Sequence, residues 1–185
     1  MSDNRQTLVI NLVAGPCSGK STIAAELFAR LKKMGIHCEL VPEYIKDRIY
    51  EENNTIITNQ IALFGMEVYG LDNKLGKVDI IVHDGSLLNN IVYDNSGDEL
   101  FHKFIMHQYN KYNNLDFFIK RGNIEFEDYG RIHNYDQSLE LDDKIKYIYF
   151  MAGARYTEVE SRDAVDKIIP IILKEINLKE KDNLN

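Results

Sequence analysis

Apolar and polar positions alternate along this chain in two regimes. Short unbroken apolar runs at residues 7–14 (TLVINLVA), 37–41, 79–83 (DIIVH) and 115–120 (LDFFIK) predict strands buried on both faces. Between them the apolar period lengthens. Over residues 20–34, Ile23, Leu27 and Leu31 stand four apart on one face, which predicts a helix that Gly35 ends as a C-terminal cap. Residues 59–74 and 99–110 also read as helices. Residues 138–146 predict a short helix, 146–151 (KYIYFM) a fifth strand, and 158–176 a closing helix with isoleucines at 168, 169, 171, 172 and 176. Pro170 lies inside that last pattern, where a kink is expected. Residues 122–135 are polar, with glycines at 122 and 130 and no clear period, and the tail from 177 is polar and expected to fray.

Strands alternating with helices imply an α/β fold: a three-layer sandwich around a mostly parallel five-stranded sheet. There is no internal repeat and no linker rich in Gly, Ser or Pro, so residues 1–185 read as a single domain, with a small lid at about 121–138 and a polar tail at about 177–185. Ligands of such sheets sit at the carboxyl ends of the strands. That rule directs attention to residues 14–21, 42–48, 83–88, 120–133 and 151–156.

Composition narrows the partners. With 22 basic and 29 acidic residues the formal net charge is −7, which disfavours nucleic acid and anionic membranes as partners while leaving room for a local cationic pocket. The apolar share of 44% is enough for a sizeable core. The two cysteines, Cys17 and Cys38, fit a reduced intracellular protein. A polar N-terminus and apolar stretches far shorter than the roughly 18 residues of a membrane span make the cytoplasm the expected location. The oligomeric state is left open, with a homodimer among the options.

The most informative stretch is Ala14-Gly-Pro-Cys-Ser-Gly-Lys-Ser21, between the first strand and the first helix. It follows the phosphate-loop pattern G-x-x-x-x-G-K-[ST] at every position but the first, where Ala14 stands and glycine follows at Gly15. The chemistry of that pattern is to wrap an anion in backbone N–H groups at a helix N-terminus. Residues Gly15, Pro16, Cys17, Ser18, Gly19, Lys20, Ser21 and Thr22 are the expected nucleotide cradle. Lys20 supplies charge to the β- and γ-phosphates, and Ser21 offers its hydroxyl to Mg²⁺. ATP and Mg²⁺ are thus the expected cofactors. If Ala14 takes a positive φ, strain is expected there.

A phosphate loop serves several reaction classes. A GTPase needs a base-reading N/T-K-x-D, and the nearest string, Asn73-Lys-Leu-Gly76, lacks the aspartate. Asp94-x-x-Gly97 reads as a turn rather than a switch. An AAA+ motor normally has a longer chain with a helical lid domain. The set of Gly15-Pro-Cys-Ser-Gly-Lys-Ser-Thr22, Val41-Pro-Glu-Tyr44, Val82-His-Asp-Gly-Ser86, Phe118-Ile-Lys-Arg121 and Asp128-Tyr-Gly-Arg131 resembles the P-loop kinases of nucleosides and nucleotides. The likeness spans about residues 7 to 172. It is nearest to the group of short AAA-type ATPases and kinases that contains bacterial ribosylnicotinamide kinase and phage nucleotide kinases. The resemblance implies the P-loop NTPase fold of kinase type and phosphoryl transfer to a small acceptor, a nucleoside or nucleoside monophosphate. Deoxynucleoside kinases carry Glu-Arg-Ser or Asp-Arg-Ser after the third strand, whereas this chain has Asp84-Gly85-Ser86, so the acceptor's identity does not carry over.

Roles follow residue by residue. Glu43, past the second strand, orients an acceptor hydroxyl and takes its proton, or is a helix N-terminal acid favoured by the dipole. Asp84, ending the third strand, holds Mg²⁺ or the substrate, or caps the next segment. Arg121 and Arg131 bracket the polar segment; in kinases such a segment is a lid whose arginines close over the phosphates, and the alternative is two surface cations. Gln60 contacts a base or sugar, or is an ordinary helix-surface glutamine. Arg48, with Lys46, is available to an acceptor phosphate, or pairs with a surface acid. The resemblance places adenine against Ala152-Gly-Ala-Arg155, and so against Gly153 and Arg155. The five histidines show no zinc spacing. The rival class is a regulatory or defence-type ATPase without a small acceptor, and a third is a kinase acting on nucleic acid.

Overall fold

The computed structural model describes residues 6–51, 54–122 and 135–182, the backbone alone for 46, 54, 135 and 177–182. Five strands form one sheet in the order β2-β3-β1-β4-β5: β1 (Leu8–Val13), β2 (Cys38–Val41), β3 (Ile80–His83), β4 (Asn113–Lys120) and β5 (Tyr156–Glu160). Every pairing is parallel. All six residues of β1 are buried because helices cover both faces, which is why the sequence shows an unbroken apolar run there.

The period of two divides the core. Leu8, Ile10 and Leu12, with Ile80, Val82, Phe117 and Ile119, pack against α1 (Lys20–Lys33) and α8 (Ala164–Asp182). Val9, Val13, Ile81 and Phe118 face the other layer, formed by α4 (Gln60–Asp72), α5 (Asn89–Tyr93), α6 (Glu99–Tyr109) and α7 (Tyr135–Met151). Two short helices, α2 (Tyr44–Tyr50) and α3 (Asn54–Ile57), lie between β2 and α4. Gly35 closes α1 at φ 80°, its N–H bonding to Lys32 O and that of Ile36 to Leu31 O, the paired bonds of a Schellman cap.

The C-terminal third differs from expectation. Residues 146–151 belong to α7, not to a strand. Ser138, Leu141, Ile145 and Tyr149 are buried at spacings of three and four, while Tyr147, Phe150 and Met151 are exposed. The β-forming side chains of KYIYFM are overridden by a helical packing period. Gly153, at φ 65°, ends α7 with Gly153 N–H to Phe150 O and Ala154 N–H to Tyr149 O. The fifth strand is Tyr156–Glu160, an edge strand with exposed Thr157 and Glu158. Helix α8 starts later than expected, runs through Pro170, and continues to Asp182, past the point where a frayed tail was expected. No helix among the described residues is long and apolar enough to cross a membrane.

Candidate functional site

β1 lies between β3 and β4, so the loop leaving it is flanked by the end of β3. A cleft of about 220 Å³ opens there. Residues 16–22 form one wall, and Glu43, Gln60 and Asp84 also line it. The tertiary structure thus gathers ten of the expected site residues around one space.

The loop's geometry follows from its residues. Gly19, at φ 84°, turns the chain into α1, and Cys17 takes φ 60°, the one non-glycine residue with positive φ among those described. The strain expected at Ala14 is therefore at Cys17 instead; Ala14 is 1% exposed and packs in the core. Lys20 is buried, and its ammonium donates to Gly15 O at 3.1 Å. Ser18 is 1% exposed, and its hydroxyl has no partner among the described residues. A buried ammonium with donors to spare and an orphaned hydroxyl, both on the cleft, are what an anionic phosphate would satisfy. Ser21 and Asp84 add a hydroxyl and a carboxylate, the hard oxygen donors that suit Mg²⁺.

Gly15 does not line the cleft. It packs against helix α7: its N–H donates to Asp142 Oδ1 at 2.6 Å. Arg121 is fastened to the same helix, through Asp142 Oδ2 at 2.8 Å, Ser138 O at 2.9 Å and the Ser138 hydroxyl. The Arg121 guanidinium is thus held by α7 beside Gly15, and it lies near enough to the cleft to act on the Tyr93 hydroxyl. Burial pushes the Asp142 carboxyl above the ordinary carboxylate range, against the pull of the Gly15 N–H, Arg121 and Lys20. Arg48 also stays outside the cleft lining, drawn to Glu51 at 2.8 Å. Gly153 and Arg155 precede the fifth strand rather than follow it. In a parallel sheet that is the edge opposite the phosphate loop, so the reason for placing adenine there is gone. Arg131 lies outside the described residues.

Several cleft residues carried no sequence signal: Glu67, Tyr93, Asn89 and Asn90. Burial raises the Tyr93 hydroxyl's pKa, and Glu43 and Asp142 add to it. Gly85 has φ 152°, a conformation that favours glycine. Behind the cleft runs a buried polar row. Asn11 is in register with His83 on β3 and with Asp116 on β4, all three on the α4–α7 face. Asn11 Nδ2 donates to Asp116 Oδ1 at 2.5 Å and to Asn114 Oδ1 at 2.9 Å. Its Oδ1 therefore accepts from His83 Nδ1 at 2.9 Å. His83 Nε2 lies 2.7 Å from Glu67 Oε1, close enough for an ion pair although not aligned as a hydrogen bond. Tyr109 closes the far end on Asp116 Oδ2 at 2.5 Å.

Compared with known families, residues 9–167 match a family model described as an AAA domain. No curated protein matches the chain.

Proposed function

Since this chain belongs to the AAA domain family, a P-loop group that generally binds ATP or another NTP with Mg²⁺, we propose that it is a phosphotransferase acting on a small nucleoside or nucleotide acceptor. The observation that carries this reading is the lining of the cleft. It joins Lys20 and Ser21 on the phosphate loop to Glu43 and Asp84, and Tyr44, Ile49 and Leu63 add apolar side chains to the same lining.

In this reading the loop N–H groups, the Ser18 hydroxyl and the Lys20 ammonium hold the triphosphate and face the charge that develops on the transferred group. Ser21 and Asp84 are the residues that would hold Mg²⁺, which when bound neutralises charge between the β- and γ-phosphates. Glu43 orients the acceptor hydroxyl and takes its proton as the new O–P bond forms and the bond to ADP breaks. Asp142 and Arg121 keep the loop's first turn in place at Gly15.

Mass spectrometry of nucleosides and their monophosphates incubated with Mg²⁺-ATP tests the reading. One acceptor should gain a single phosphate as ADP appears, and Glu43→Gln should slow transfer to a hydroxyl about 100-fold. ATP turnover indifferent to every acceptor would instead mark a hydrolase that uses the cleft for regulation.

A further inference from the structure

Helix α4 contains two glycines, and they differ. A helix interior disfavours glycine relative to alanine, because glycine has more backbone freedom to lose on folding. A Cβ at Gly65 would meet nothing within 4 Å, so no packing requires its absence. A Cβ at Gly70 would lie 2.5 Å from the Tyr44 hydroxyl oxygen, and 3.2 and 3.3 Å from Cε2 and Cζ of the same ring. Gly70 is buried, and its bare backbone is a notch filled by the tip of one phenol. The helical period explains where the notch falls. Gln60, Leu63 and Glu67 line the cleft at spacings of three and four, and Gly70 is the next residue on that stripe. The Tyr44 tip thus ends the stripe, in the place where another α4 side chain would stand.

Tyr44 follows Glu43 directly. Glu43 is the N-cap residue of α2 and Tyr44 its first helical residue, and both line the cleft. Helix α2 has only seven residues, and the Glu43 side chain makes no capping bond, so tertiary contacts must set the helix in place. The Tyr44 ring packs against the core on the α4–α7 face of the sheet. With the ring held there and its tip in the notch, both side-chain torsions of Tyr44 are fixed, and with them the start of α2. Building on the phosphotransferase reading, in which Glu43 takes the nucleophile's proton, we propose that Gly70 is a positioning residue. Its missing side chain seats Tyr44, and Tyr44 sets where Glu43 stands in the cleft. Gly70 itself does not line the cleft, so it acts through Tyr44 alone. A group misplaced by about 1 Å can slow a reaction about 100-fold, and here the phosphate loop would be left as it is.

Four forms of the full chain test this: unaltered, Gly70→Ala, Gly70→Ala with Tyr44→Phe, and Gly65→Ala. ATP turnover is measured with Mg²⁺, with and without nucleosides and their monophosphates, and Mg²⁺-ADP affinity by titration calorimetry. Gly70→Ala should lower kcat about 10- to 100-fold while ADP affinity stays within about twofold. Tyr44→Phe removes the atom of closest approach, so adding it should bring kcat back to within about threefold of the unaltered chain. Gly65→Ala should leave kcat within about twofold and the urea midpoint no lower. If Gly70→Ala alone does not fold, the double variant must fold and turn over ATP at the restored rate. An unaltered kcat in Gly70→Ala, a loss that Tyr44→Phe does not repair, or an equal loss of ADP affinity would each overturn the inference. Glu43 would serve an attacking water as it serves an acceptor hydroxyl. ATP turnover indifferent to every acceptor would therefore overturn the phosphotransferase reading, while the same four rates, read as hydrolysis, decide this inference. No turnover by the unaltered chain would overturn both.

Discussion

A Cβ at Gly15 would sit 2.7 Å from Ser138 O and 2.8 Å from Arg121 Nη2. Neither neighbour is free to retreat, because both belong to the brace between β4 and α7. Gly15→Ala is therefore expected to cost about 1–3 kcal/mol, read as a lower urea midpoint, and to weaken nucleotide binding by pushing the loop off Asp142. Asp116 sets a second expectation. Burial pushes its carboxyl up to about 6, against hydrogen bonds from Tyr109 and Asn11. The folded chain thus holds this proton more tightly than the unfolded one. The stability carried by the proton is present below about pH 4 and is lost as pH rises toward 6, a change of about 3 kcal/mol. Asp116→Asn keeps the acceptor for Asn11, and the Tyr109 hydroxyl can turn to accept. Urea unfolding at pH 4, 5, 6 and 7 should show that the variant lacks this part of the slope. Little of this was legible in the sequence: Asn11, His83 and Asp116 sit in or beside apolar runs, and only strand register makes them neighbours.

At the scale of elements, α7 is the informative case. As a helix it buries Ile145 and Tyr149 and exposes Tyr147; as a strand it would have put 145, 147 and 149 on one face. Ile145→Ala should cost about 2–5 kcal/mol in chemical denaturation, and Tyr147→Ala less than about 0.5 kcal/mol. Equal losses would argue against this register. The four-residue spacing of Leu141, Ile145 and Tyr149 was present in the sequence, but the β-branched and aromatic content of residues 146–151 masked it. A strand at 146–151 leaves residues 158–160, the last three of β5, inside the expected closing helix. The exposed Thr157 and Glu158 of β5 give an edge strand little apolar alternation to read. The first four strands and the helices α1, α4 and α6 were legible because burial on both faces, or on one stripe, leaves a plain period.

For the whole molecule, ligand binding and stability are linked. Mg²⁺-ADP at about 100 times its dissociation constant should stabilise the fold by about 2.7 kcal/mol, a rise in Tm of about 5–10 °C by scanning fluorimetry. Lys20→Ala should abolish most of that rise. The sequence by itself determined the α/β class, the phosphate loop and the carboxylates at the ends of the second and third strands, because local period and backbone chemistry are written in neighbouring residues. The tertiary structure decided the rest. It set β1 beside β3, so that Lys20, Glu43 and Asp84 meet in one cleft. It fastened Arg121 to α7 beside Gly15 and set Gly153 and Arg155 before the fifth strand rather than after it. It also brought Glu67 on α4 against His83 on β3. Those contacts depend on strand order and on which helix crosses which face, and no local pattern along the chain encodes either.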